Sequence, residues 1–237
     1  MLGADRSAPA LQGMARTGLL TALFPGLTRA GENALERAVG AHQQLESLLR
    51  DLPACFPDTA EVLMRELTEN RRILLKCAAV LSHVPGIPAI AQSLRLSRHD
   101  AARLEGLIRH HAQALGILAS PRPSPRAVTR FLREAHAVLP DLLLNAAADL
   151  MAAPAARSQE IRSFTAELLH TYAFAHTPRL HSPPPISGND LIREFGLKPS
   201  ALFKRILDSI EEERLSRSEL GRAEALEMVR AYLKNQG

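Results

Sequence analysis

Apolar residues recur at spacings of three and four along nearly the whole chain, and the strict alternation that marks a half-buried strand is missing. The pattern predicts an all-α protein. Helices are expected over about 14–24, 32–51, 59–83, 88–95, 98–118, 125–137, 140–152 and 158–175, followed by shorter ones over about 189–195, 199–214 and 221–235. Pro25, Pro53, Pro85, Pro121, Pro140 and Pro154 punctuate the series, because a proline ring removes an N–H and clashes with the preceding turn. Ser97 three residues ahead of Asp100 is a helix start, with the carboxylate at the positive helix end, so the dipeptide His99-Asp100 is read as a cap and not as a metal motif.

The strongest boundary is the stretch holding Pro178 and Pro183, Pro184 and Pro185, which favours a stiff, extended backbone. It divides the chain into a helical body (1–176), a proline-rich linker (177–188) and a C-terminal helical arm (189–237). In the arm, Gly196 suits a helix C-cap and Pro199 the first position of the next helix. A chain of 237 residues, 46% hydrophobic, can bury a real core. With aromatics at 4% and no Trp, a base-stacking platform for single strands is not expected. The most apolar stretch, 137–156, carries Asp141 and Asp149 and does not make a membrane span. Arg16 followed by Gly18 to Phe24 imitates a signal peptide, but Pro25 cuts the apolar run short, and a cytoplasmic protein is expected. Cys55 and Cys77 lack metal-ligand spacing.

The formal net charge is +4, and the only lysines are Lys76, Lys198, Lys204 and Lys234, so arginine supplies most of the cations. Its planar fork pairs two phosphate oxygens at once. In the helix after Pro125, Val128, Phe131, Leu132 and Ala135 share one face while Arg126, Arg130 and Arg133 lie opposite, with Arg122 just before. That ridge suits a phosphate backbone, and equally an ordinary solvated face. No Gly-x-Ser-x-Gly elbow or glycine-rich phosphate loop is present.

The tail, Pro185-Ile186-Ser187-Gly188-Asn189-Asp190-Leu191-Ile192 followed by Gly196-Leu197-Lys198-Pro199 and the amphipathic Leu202 to Ile210, resembles the C-terminal arm of the bacterial tRNA nucleotidyltransferase and poly(A) polymerase family. Leu104 to His111 resembles that family's arginine and paired-histidine helix, Leu142 to Asp149 its later aspartate-bearing helix, and Ala15 to Leu27 the segment after its neck. The resemblance implies an HD-domain-like helical bundle followed by a small arm. It covers no counterpart of the catalytic head, which binds a nucleoside triphosphate and Mg²⁺, so it implies no catalytic residue for nucleotide addition in this chain. At the HD dipeptide, Ser82 stands in the histidine position and His83 in the aspartate position. A one-residue slip along a helix would turn the side chain by about 100°. The expectation is therefore a vestigial pocket formed by His42, Ser82, His83, His110, His111 and Asp149, with no metal cofactor.

The function implied is non-catalytic binding of tRNA or another structured RNA through Arg109, Arg122, Arg126, Arg130, Arg133 and Lys198. Two alternatives stand beside it. One is a metal-dependent phosphohydrolase with a remodelled HD-type site. The other is an accessory subunit for a separately encoded nucleotidyltransferase head protein.

Overall fold

The computed structural model describes residues 3–4, 6–31, 33–84, 94–154, 156–177, 183–216 and 220–234. The chain is all-α, with no strand among the described residues. The helices are α1 (Ala8–Arg16), α2 (Leu19–Leu23), α3 (Gly26–Arg29), α4 (Ala34–Arg50), α5 (Leu52–Cys55), α6 (Ala60–Glu66), α7 (Glu69–Leu81), α8 (Arg98–Ala119), α9 (Pro125–Glu134), α10 (Asp141–Ala152), α11 (Ser158–His170), α12 (Gly188–Phe195), α13 (Ala201–Ser216) and α14 (Arg222–Lys234). The helix expected over 14–24 is broken at Gly18, whose φ of 74° only glycine adopts without strain. The one expected over 59–83 is broken at Leu67 and Thr68. There the Thr68 hydroxyl accepts the Arg71 N–H and starts a new helix. The helix expected over 88–95 falls almost wholly outside the described residues.

Two compact units emerge, Met1–Arg122 with Glu134–Ala173, and Pro123–Arg133 with Phe174–Gly237. Most of α9, expected within the body, therefore groups with the arm. One reason is Arg133, whose guanidinium donates to the Asp208 carbonyl on α13 at 3.4 Å. The expected linker also ends inside the arm. Ile186 is buried in its core with Leu191, Ile206, Ile210, Ala225 and Val229, and Ser187 and Asp190 form a reciprocal capping box at the start of α12. Gly196, at φ 64°, closes that helix as its position predicts.

In the larger unit α10 is the hub. Every residue from Asp141 to Asp149 is buried, and the helix packs against α4, α7, α8 and α11. Its small faces, Ala146 to Ala148, allow close approach. A helix apolar all round needs neighbours on every side. Asp141, fully buried, accepts from Arg71 of α7 at 2.7 Å and from Arg103 of α8 at 2.7 Å. A carboxylate at a helix N-terminus is further favoured by the helix dipole.

A second network ties the N-terminal segment to α4 and α7. Glu46 accepts from the Ser7 N–H at 2.6 Å, the Ser7 hydroxyl at 2.7 Å, the Ala8 N–H at 2.8 Å and the Lys76 ammonium at 2.8 Å. Burial pushes its carboxyl up, but those donors outweigh burial and bring it from 4.5 down to about 2. His42, beside the Ser7 hydroxyl at 2.9 Å, is pushed down by burial.

Two outcomes follow from these contacts. Asp141→Ala leaves two guanidiniums without their shared carboxylate and should lower stability by about 3–5 kcal/mol, read from urea unfolding. Because the folded-state values of Glu46 and His42 lie below their ordinary ones, their contributions are present above those ordinary values and lost as pH falls. The melting temperature should drop on acidification from neutrality and steepen between pH 4.5 and about 2. In Glu46→Gln, a protein already less stable at neutral pH, the lower part of that slope should flatten.

Candidate metal centre

α7 ends at Leu81, and the Ser82 hydroxyl turns back to donate to the Ala78 carbonyl at 2.7 Å. The next residue, His83, therefore stands in the turn beyond the helix. His111 comes from the middle of α8, while Asn145 and Asp149 come from one face of α10, one turn apart. The His111 Nε2 lies 2.9 Å from one Asp149 oxygen and the His83 Nε2 3.4 Å from the other. The imidazole rings are 6.1 Å apart at 87°. One ligand atom from each of His83, His111 and Asp149 falls within 4.8 Å of the others. Burial pushes the Asp149 carboxyl up, but the contacts from His111 and His83 outweigh it and hold the group well below the usual carboxylate range.

Two buried polar atoms at this cluster have no hydrogen-bond partner among the described residues, His83 Nε2 and Asn145 Oδ1. Such orphans cost roughly 1–3 kcal/mol each. Two imidazoles and a carboxylate are the donor set of a divalent transition metal. Neighbouring ligand atoms on such an ion sit about 3–3.5 Å apart, given bonds of about 2.0–2.2 Å. The His–Asp separations of 2.9 and 3.4 Å are close to that span. Asn145 supplies the adjoining contact, its Nδ2 lying 3.5 Å from His111 Nδ1 and 3.2 Å from the Ser82 hydroxyl. Asn145 thereby ties the ring of His111 to the turn after α7. The residues present fit a divalent cation.

The cluster opens to solvent. A cleft of about 290 Å³ is lined by Gly31, Asn33, Ala34, Arg37 and His83, among others. Arg37, on α4, keeps its side chain 57% exposed with its guanidinium 3.6 Å from Asp149.

Of the six residues expected in the pocket, three come together. His83, His111 and Asp149 converge, with Ser82 beside them but committed to Ala78 and Asn145. The rotation of a helical slip does not constrain His83, because the helix has already ended. His42 does not join the cluster. It is held by Ser7 and the Lys76 carbonyl. His110, the neighbour of His111, turns to Gln113 at 3.3 Å. Ser97 caps α8 as expected, its hydroxyl accepting the Asp100 N–H and donating to the Asp100 carboxylate. Arg37 carries no mark in the sequence. Asn145 was open to detection, because it lies four residues before Asp149 and so shares its face.

The six cationic candidates do not gather in one unit. Arg109 and Arg122 belong to the larger unit, Arg126, Arg130, Arg133 and Lys198 to the smaller. Phe131, Leu132 and Ala135 are buried, as their spacing predicts, and Arg126 and Arg130 are exposed. Arg133 is half-buried and engaged with Asp208. No helix among the described residues is long and apolar enough to cross a membrane. Burial pushes the Cys77 thiol up to about 11, so it stays protonated and unreactive at neutral pH. Comparison with protein-family models, curated proteins and solved structures gives no match.

The ridge divides into a free end and an engaged end. Arg133→Glu sets a carboxylate against Asp208 and should cost about 1 kcal/mol, whereas Arg126→Glu should stay within about 0.5 kcal/mol of wild type in the same thermal melt.

Proposed function

We propose that the larger unit is a divalent-metal-dependent phosphohydrolase acting on phosphomonoesters, with His83, His111 and Asp149 as metal ligands and Arg37 as the phosphate-binding group. The observation that carries this reading is the convergence of three ligand atoms, from His83, His111 and Asp149, beside a cleft that His83 and Arg37 line. A divalent cation held there would act as a Lewis acid on a phosphoryl oxygen.

The chain's own groups have definable tasks. Asp149 is ionised at neutral pH and presents both oxygens. Asn145 lies against the ring of His111 and the Ser82 hydroxyl and helps to orient the imidazole. Arg37 has its guanidinium at the mouth, where its fork can take two oxygens of an incoming phosphate. A remodelled HD-type site, the alternative that the sequence offered, belongs to the same reaction class.

The test is metal content together with hydrolysis of p-nitrophenyl phosphate. Wild type should bind about one equivalent of Mn²⁺ or Zn²⁺ by calorimetry and hydrolyse the ester. His83→Ala and Asp149→Ala should lose stoichiometric binding while keeping the helical circular dichroism. Arg37→Ala should keep the metal and raise KM. Absence of tight metal in wild type, or equal binding by His83→Ala, overturns the reading.

A second reading, binding of tRNA or another structured RNA, rests on Arg109, Arg122 and Arg126, which are exposed and make no ion pair with a described residue. Under it, Arg126→Glu should weaken tRNA binding equally for all sequences and lower the log–log salt slope by roughly 0.7–0.9. An unchanged slope assigns that ridge to ordinary solvated surface. A separately encoded head protein would be revealed by nucleotide addition to tRNA appearing only on mixing the two.

A further inference from the structure

A second concave surface lies on the larger unit, away from the histidines. It is a cleft of about 650 Å³ between the N-terminal segment, the end of α4 and the start of α7. Three guanidiniums from three separate elements border it, Arg6, Arg50 and Arg72. Arg6 and Arg50 make no hydrogen bond or ion pair with any described residue. Arg72 commits only its Nε, to the Leu67 carbonyl at 3.0 Å, so its two terminal nitrogens stay available.

The acidic side of the cleft is weak. Glu46 is the buried carboxylate, and Lys76, Ser7 and Ala8 already engage both of its oxygens. Its charge is compensated by Lys76 at 2.8 Å, so it offers little repulsion to an anion. Glu69, exposed at the start of α7, is the other described carboxylate lining the cleft. Three like charges around one concavity repel each other, and an anion between them relieves that repulsion.

We propose that this cleft binds a small organic phosphate, recognised by its dianionic phosphate between Arg50 and Arg72, with Arg6 as the third cation lining the cleft. The guanidinium fork suits two phosphate oxygens. The volume lies in the range of small-molecule sites, about 300–1,000 Å³. Leu49, Leu67 and Ile73 give the organic part an apolar wall. The wall has no aromatic ring, so a base is not held by stacking, and affinity depends on the phosphate. None of this depends on the metal reading, since the two clefts share no lining residue.

The experiment is calorimetry on the whole chain in EDTA, which silences any metal site, with AMP, adenosine and inorganic phosphate as probes. AMP should bind, inorganic phosphate more weakly, and adenosine not at all. Arg50→Ala should weaken AMP by about tenfold or more, the effect of losing one charge-assisted hydrogen bond, and His83→Ala should leave it unchanged. Because Arg72 also holds the Leu67 carbonyl, its role is read in wild type, where AMP should shift the NMR resonances of both guanidinium groups. Equal binding of AMP and adenosine, no binding of AMP, or unchanged affinity in Arg50→Ala overturns the proposal. If AMP binding survives in Arg50→Ala but is lost in His83→Ala, the phosphate is bound at the histidine cluster instead.

Discussion

The larger unit depends on a single buried carboxylate. Asp141 opens α10 and receives guanidinium donors from α7 and α8, so three helices share one point of register. Eight residues after Asp141 stands Asp149, and eight residues after Arg103 stands His111. At 1.5 Å per residue each interval is about 12 Å. Two contacts spaced alike and in the same order make α8 and α10 run side by side in one direction. α7 follows them from Arg71, and its end delivers His83 to the second carboxylate. The geometry of the His83–His111–Asp149 cluster is thus set a dozen ångströms away, at a salt-bridged anchor outside it.

Two carboxylates on one helix meet opposite fates. Asp141 is met by two permanent cations, and Arg71 is balanced in turn by Glu66 at 3.4 Å, so the anchor is nearly neutral. Asp149 is met by two imidazoles and an exposed arginine at 3.6 Å. Buried charge compensated by guanidinium makes a rigid joint. Buried charge facing imidazole nitrogens at 2.9 and 3.4 Å is the arrangement on which the proposed cation site rests. Any ion that binds the folded chain there adds its binding free energy to stability by mass action.

Much of this was legible in the sequence where the signal was local. The 3.6-residue period identified the all-α class, and Gly196 and the cap at Ser97 marked helix ends correctly. Thr68 starting a helix amid an apolar run was missed, because continuous periodicity conceals a break whose cause is a side-chain cap. The pocket was half legible. Of the six pocket candidates His83, His111 and Asp149 come together, whereas His42 and His110 turn to other partners. His42 and Asp149 look alike in sequence as polar residues in apolar helices, and tertiary packing alone separates them. The grouping of α9 with the arm rests partly on Arg133 and Asp208, which are 75 residues apart.

α4 and α7 carry both clefts. Arg37 meets the histidine cluster and Glu46 meets Lys76, so as α4 advances nine residues, α7 is crossed in the reverse direction from His83 to Lys76. The pair is antiparallel, and nine helical residues span roughly 14 Å. A phosphate seated between Arg50 and Arg72 is therefore out of reach of Asp149, and one ester cannot fill both sites with the same group. The packed helix pair between them, buried through Ala38, Ala41, Leu45, Leu75 and Ala79, is a close-packed interior rather than a passage. On the two proposals each cleft would meet its ligand from solvent on its own side, and occupancy of one would affect the other only through the stability of the helices they share.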